Sequence, residues 1–388
     1  MPAGRTLAEP AFQLVREANE LGGQLHPVTR RAVADLLRTI NTYHSNLIEG
    51  HHTRPRDIEK ALEGRLSSIP GQRSLQLEAC AHIEVQRLVD QRFEAEPDLR
   101  VTGSDFLLFL HREFYERMPE EWRVVRDPDG THEKTVIPGT LRDTEVDVGR
   151  HLPPPAAALP QFLTRFDEAY APERLEGLDR IIAIAASHHR LLWIHPFLDG
   201  NGRVTRLYTD AYLRRAGLGG HGLWTASRGL ARQRTRYFET LAAADDERRG
   251  DYDGRGARSE GALRDFCEFF LDVCLDQVRF MSELLDLEGL LARIEAYAAR
   301  RAAGGLGAKL PVEAGRLLAE VLLRGEVARG DAARITATSE RTARRVLSAL
   351  VRDKLLLSGT PKGPVRLGLP MHAVSFYFPQ LFPEGSLE

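Results

Sequence analysis

Apolar positions recur with helical spacing through most of the chain, and a mainly α fold is predicted from that pattern. Residues 31–48 carry Val33, Leu36, Leu37, Ile40, Leu47 and Ile48, an amphipathic helix that Gly50 closes. A long helix is predicted over 75–93, and another over 104–116 with Ser104 as its cap. Between the first two, 53–71 is rich in turn residues. Residues 122–152 break the rhythm. Val124, Val136, Val146 and Val148 stand among Asp-Pro-Asp-Gly and Pro-Gly turns, the one plausible β region. Helical spacing resumes over 159–170, 178–193 and from Asn201 to a Gly217 stop, where Val204, Leu207, Tyr208 and Ala211 form the apolar stripe. His188 and His189 are neighbours in the second of these. Adjacent helical residues point about 100° apart, so they read as packing or capping residues, not one metal site.

A Gly- and Ala-rich stretch at 300–311 marks a boundary, and beyond it the charge changes sign. Residues 304–370 hold 12 Lys and Arg against 6 Asp and Glu, in a chain whose formal net charge is −2. Their pattern is helix 312–324, a short helix 330–337, a third helix opening at Thr338, and two apolar stretches at 355–357 and 365–367. This is similar to a winged helix-turn-helix with its wing at 358–364. Arg341, Arg344 and Arg345 on the third helix would face phosphates or bases if it binds DNA. Few polar base-reading residues and no aromatics in 304–370 leave a protein partner for this module as the other reading.

The 388 residues suffice for two or three domains, and 43% hydrophobic with 28% charged residues describe a globular chain. Cys80, Cys267 and Cys274 show neither paired nor metal-ligand spacing. The opening residues are too polar for a signal peptide and no 18-residue apolar run occurs, so a cytoplasmic protein without a membrane partner is expected.

Candidate chemistry concentrates in 195–206, His-Pro-Phe-Leu-Asp-Gly-Asn-Gly-Arg-Val-Thr-Arg. A glycine-bracketed turn opening a helix aims free N–H groups and a partial positive charge at an anion. Arg203 and Arg206, three apart, add charged forks for phosphate oxygens. Asp199 is a hard oxygen ligand suited to a Mg²⁺ that completes its shell on phosphate. His195, just before the turn, is placed to take a proton from an attacking hydroxyl. Taken singly, a histidine, an arginine pair and a Gly-Asn-Gly turn are ordinary structure. Together they are the parts of a nucleotidyl or phosphoryl transfer site.

The segment resembles the Fic family signature, His-Pro-Phe-x-(Asp/Glu)-Gly-Asn-Gly-Arg-x-x-Arg, at every fixed position. The resemblance implies a helical core with a β-hairpin flap that moves AMP from ATP to a protein hydroxyl, releasing pyrophosphate. It makes His195 the catalytic base and Asp199 the Mg²⁺ ligand. Gly200, Asn201 and Gly202 would cradle the phosphates, with Arg203 and Arg206 binding from the side. Upstream, Ser45-x-x-x-Glu49-Gly50 looks like the family's inhibitory helix motif. There the glutamate would pair with Arg206 in the seat of the γ-phosphate, and it can also assist AMP removal. Residues 137–155 look like the flap, where a target protein would dock by strand addition, with Thr144 to Val148 as the expected edge. Tyr237 would wall the adenosine pocket, or belong to the core. Asp245 stands where many members have Asn, which leaves the base contact in doubt.

The expected organisation is an N-terminal helical region over 1–100 with the inhibitory helix at about 31–50. A core over 101–300 with a flap at about 122–152, a winged module over 304–370 and a tail over 371–388 follow. Two other readings stay open: a de-AMPylating or other nucleotidyl or phosphoryl transferase on the same site, and a DNA-binding regulator with an inactive core. A homodimer is also left open.

Overall fold

The computed structural model describes residues 5–126, 133–149 and 151–383. Four helices come first: α1 (Arg5–Glu20), α2 (Pro27–Ile48), α3 (Pro55–Leu62) and α4 (Pro70–Ala95). Then α5 (Ser104–Glu116) precedes a small hairpin, β1 (Val124–Arg126) with β2 (Glu133–Thr135), antiparallel with Val125 opposite Lys134. The central helices are α6 (Leu159–Tyr170), α7 (Asp179–Ile194), α8 (Asn201–Arg215), α9 (Ala226–Arg232), α10 (Arg234–Ala244), α11 (Glu260–Leu284) and α12 (Leu287–Ala302). The last unit runs α13 (Ala314–Arg324), β3 (Glu326–Val327), α14 (Ala332–Thr336), α15 (Glu340–Arg352), β4 (Leu356–Leu357), β5 (Val365–Leu367) and α16 (Met371–Tyr377). Its three strands are antiparallel in the order β3-β5-β4. Among the described residues, no helix is long and apolar enough to cross a membrane.

The core explains the order. Helix α11 presents Phe266, Phe269, Phe270, Val273 and Val278, all buried, and packs on α1, α7, α9 and α10. Helix α8 is nearly all buried on the far side of α7, although its sequence is strongly polar. Polar residues in such a place must find partners inside the protein, because an unpaired buried polar group costs several kcal/mol at the upper end. Those partners build the site.

Several expectations need correction. Residues 55–62 form α3 inside a stretch predicted as turns: Pro55 starts the helix and Ile58 and Ala61 bury one face of it. Ser104 is the first helical residue of α5, not its cap, and Gly103 occupies the cap position without a side-chain bond. Helix α15 is capped by Ser339, whose hydroxyl accepts from the Thr342 N–H, while Thr338 bonds Thr336 instead. Part of the expected tail forms α16. In the flap, the strands are β1 and β2 alone among the described residues. Thr144 to Val148 is an irregular segment, closed by a bridge between Val148 and His151. The Thr144 carbonyl accepts from Arg142 instead of a neighbouring strand. The Asp-Pro-Asp-Gly turn at 127–130 lies outside the described residues, as do 384–388 of the expected tail.

Candidate active site

Helix α7 ends at His195, which adopts the left-handed conformation at φ 50°, and its N–H still bonds the Leu191 carbonyl at 3.1 Å. A histidine there is uncommon and is held by its surroundings. The restraint is Arg142, a buried arginine that the sequence reading did not single out. Its Nε donates to the His195 carbonyl at 2.8 Å and its Nη1 to the Thr144 carbonyl at 2.9 Å. A third donor reaches the Pro154 carbonyl, and the Arg142 backbone N–H bonds the Pro196 carbonyl at 3.0 Å. One guanidinium thus fastens the segment after the hairpin to the start of the motif. No spacing rule marks such an arginine in advance.

The loop then closes on itself. Phe197 is fully buried and its ring stacks on His111, with centroids 4.1 Å apart and planes 3° from parallel. Asn201 accepts from the Phe197 N–H at 2.9 Å and donates to the Phe197 carbonyl at 2.8 Å. Its side-chain amide, expected to cradle phosphates, thus holds the turn with one acceptor and one of its two N–H donors. Gly200 sits at φ 79°, and a Cβ there would fall 2.8 Å from Cε2 of Tyr115. Only glycine meets both demands. We expect Gly200→Ala to lower stability by at least about 1 kcal/mol, measured as a shift of the urea midpoint, and to weaken nucleotide binding alongside.

The base and the carboxylate both have lowered pKa values, for different reasons. Burial drives the His195 pKa down to about 4, with the charge of Arg142 acting in the same sense against a bond to the Leu192 backbone. The imidazole is neutral near pH 7 and free to accept a proton. Asp199 has a half-exposed side chain and accepts at Oδ2 from the Tyr115 hydroxyl at 2.5 Å and Arg203 Nη2 at 3.1 Å. Burial works to raise its pKa, but Arg203 and the Tyr115 hydroxyl outweigh it and hold the carboxyl below its usual range. One carboxylate oxygen is thus occupied by fixed donors while the side chain still reaches solvent. That suits a single-carboxylate Mg²⁺ position. No cluster of three or more His, Cys, Asp or Glu forms a ready-made metal cage among the described residues.

The two motif arginines are both buried and both engaged. Arg203 pairs with Glu78 from α4, with Asp199 and with the Tyr115 hydroxyl at 3.3 Å, and its guanidinium lies 5.1 Å from the Phe114 ring centroid. Arg206 donates from Nε to the Ser45 hydroxyl at 2.8 Å and from Nη2 to the Ser45 carbonyl at 3.1 Å. The same Nη2 pairs with Glu49 Oε1 at 2.5 Å. Ser45 and Glu49 therefore meet Arg206 across 157 or more residues of sequence. A Cβ added to Gly202 would fall 2.2 Å from Glu49 Oε1, so the carboxylate rests against the first turn of α8 where a side chain is missing. Burial pushes the Glu49 carboxyl up, and Arg206 with Arg203 pulls it below its ordinary value. It stays ionised, placed where a helix N-terminus would hold an anion.

Tyr237 belongs to the core. It is 1% exposed, and its hydroxyl is 2.7 Å from His188 Nε2, whose Nδ1 is 2.7 Å from the Thr209 hydroxyl on α8. The chain of three braces the motif helix from behind, which leaves Tyr237 no face for a ligand. His189 Nε2 lies 3.2 Å from Asp245 Oδ1, so that carboxylate already has a partner. The sequence reading missed Glu78, Tyr115, His111 and Arg142. Each lies outside the motif, Glu78 on α4, His111 and Tyr115 on α5 and Arg142 in a loop, and no local pattern marks them.

A sequence profile of the Fic/DOC family matches residues 101–213. The chain is 32% identical over 180 residues to the protein adenylyltransferase Fic of Nematostella vectensis, covering 45% of this chain and 37% of that one. It is 31% identical over 141 residues to the same-named protein of Drosophila grimshawi, covering 36% of this chain and 25% of that one. The chain thus spans between a quarter and two fifths of these relatives. Among solved structures, a Fic family protein from Desulfovibrio desulfuricans G20 is similar with a TM-score of 0.52 and 20% identity, over 94% of this chain and 97% of that one. Residues 134–508 of Fic-1 from C. elegans are similar at 0.52 and 21% identity, over 71% of each. These two likenesses concern the fold. The loop from His195 to Arg206 lies within the segment that matches the Fic/DOC family profile.

Proposed function

We propose that this chain is a self-inhibited protein adenylyltransferase that moves AMP from ATP to a hydroxyl of a target protein or of itself. The observation that carries the reading is a neutral, buried-edge imidazole at His195 set before a helix N-terminus that two arginines flank. In the step, the acceptor hydroxyl oxygen bonds the α-phosphorus and the bond to the β-phosphate oxygen breaks. Pyrophosphate leaves, and the hydroxyl proton passes to His195. The backbone at Gly200 and Gly202, with Arg203 and Arg206, would hold the phosphates. Asp199 would hold Mg²⁺, which when bound neutralises phosphate charge. Names of the similar curated proteins support the adenylyl donor.

Glu49 supplies the self-inhibition in this reading. While it holds Arg206, a triphosphate tail meets a carboxylate in its own seat. Target docking is assigned to the flap, where Ile137 and Leu152 expose apolar side chains beside the segment that Arg142 fastens. For the last unit, we read helix, strand, helix, helix and hairpin as a winged helix, a module for a DNA or protein partner. Exposure of Arg341, Arg344 and Arg345 on α15 supports that use, although Arg344 already pairs with Glu340.

The test is mass spectrometry of the Glu49→Gly protein after incubation with Mg²⁺ and equal ATP, GTP, UTP and CTP. An added AMP on a Ser, Thr or Tyr is the expected result. A phosphoryl group, a different nucleotide or an unmodified protein that still binds ATP would overturn the assignment.

A further inference from the structure

Glu78 is the most enclosed acidic group near the site, 3% exposed on α4, and it lies outside the motif and outside residues 101–213. It serves two masters. Its Oε1 takes Nη1 of Arg203, and its two oxygens lie 3.0 and 2.7 Å from His51 Nδ1. His51 is two residues beyond Glu49. Between them Gly50 turns at φ 86°, and the His51 N–H bonds the Asn46 carbonyl at 2.9 Å, which closes the end of α2. Arg234 Nε reaches the Ile48 carbonyl at 2.8 Å from the opposite side. The turn that carries Glu49 is therefore fastened at both flanks, by Arg234 before it and by His51 after it.

The placement of Arg203 depends on the same carboxylate. An arginine fork shared between Glu78 and Asp199 can face the helix N-terminus. Without Glu78, its remaining carboxylate partner is Asp199, and the guanidinium would turn fully onto the group that has to serve a cation. We infer that Glu78 is the positioning residue of this site: it sets Arg203 against the first turn of α8 and, through His51, seats the turn that carries Glu49. The inference rests on reading that first turn as a phosphate cradle. It joins the anion-binding arginine and the brake in one buried group.

The test uses full-length protein in the Glu49→Gly background, with ATP and inorganic tripolyphosphate as probes in isothermal titration. Glu78→Gln keeps shape and loses charge. It should weaken both probes at least 10-fold, and Glu78→Asp should recover part of the loss. In the protein with Glu49 intact, NMR titration of His51 gives a readout that general destabilisation does not move. Its imidazole pKa, raised mainly by the bond to Glu78, should fall back toward the ordinary histidine value in Glu78→Gln. Unchanged probe affinity in a folded Glu78→Gln protein, or an unmoved His51, overturns the inference. If Glu78→Gln does not fold, His51→Ala with Glu49 intact takes its place. A loosened turn should then bind ATP at least 3-fold more tightly, and equal affinity sinks the idea. Absence of ATP binding by the Glu49→Gly parent would sink the nucleotide reading itself, a result seen before any Glu78 variant is made.

Discussion

Glu49→Gly is expected to raise the initial rate of self-labelling by about 10- to 100-fold over the unmodified chain. The size follows from what the carboxylate holds. A charge-assisted hydrogen bond to a buried guanidinium contributes on the order of 1.5–3 kcal/mol, and each 1.4 kcal/mol is about tenfold in a population. Arg206 is 3% exposed and keeps its two bonds to Ser45 when Glu49 is removed. It therefore stays in place with one donor released toward the incoming phosphates. The substitution also clears the space beside Gly202. The gain should be visible as tighter ATP binding together with a faster rate, because the carboxylate obstructs both the seat and the charge. Initial rates with radiolabelled ATP measure it. Equal labelling of the two proteins would show that the Glu49–Arg206 pair is not a brake.

His195→Ala in the Glu49→Gly background should cut the rate by roughly 10²- to 10⁴-fold, the usual range for a positioned general base. ATP affinity should hardly change, since no phosphate role is assigned to that side chain. The pH profile distinguishes this from a packing role. Burial holds the imidazole pKa at about 4, so the neutral, proton-accepting form predominates from about pH 5 upward. As pH falls through 4 the ring becomes charged and can no longer accept, and the rate should drop on that limb. The Glu49→Gly protein should therefore show no His195-dependent loss between pH 8 and pH 5. A rate that halves near the ordinary histidine value of about 6.5 would mean that the ring is solvated and the burial argument is wrong.

The motif was legible because its chemistry is local. Twelve consecutive residues bring the imidazole, the carboxylate, the glycines and both arginines together, and a turn followed by a helix is dictated by their order. Ser45 and Glu49 were legible for a different reason, a resemblance rather than a pattern of their own. Partners from elsewhere were not. Arg142 stands in a loop without periodicity, and Glu78 sits in a helix whose apolar stripe draws attention to its neighbours. Asn201 shows how a residue legible in the motif can have a further task, because the tight loop uses its amide to hold the Phe197 backbone. Sequence alone allows Tyr237 to be pocket or core, and the packing of α10 against α11, with the Tyr237 hydroxyl on His188 of α7, decides for the core. Fold class followed from helical spacing, whereas strands of two or three residues leave too few alternations to be placed by period two.

The outer side of α2 leads in another direction. Phe382 packs edge-on against Tyr43, with centroids 5.3 Å apart, and stacks along His44 at 6.3 Å, one residue before Ser45. Arg228 holds the carbonyls of Gln380 and Leu381 beside them. During synthesis, α2 leaves the ribosome near the start of the chain and Phe382 near the close of the described residues. Nascent α2 thus lacks this aromatic cover until Phe382 has been made. Contacts so distant in sequence carry a loop-closure cost in entropy, so Phe382→Ala should loosen the helix that carries Ser45 and Glu49 more than its catalytic neighbours, read as faster amide exchange in α2 than in α8.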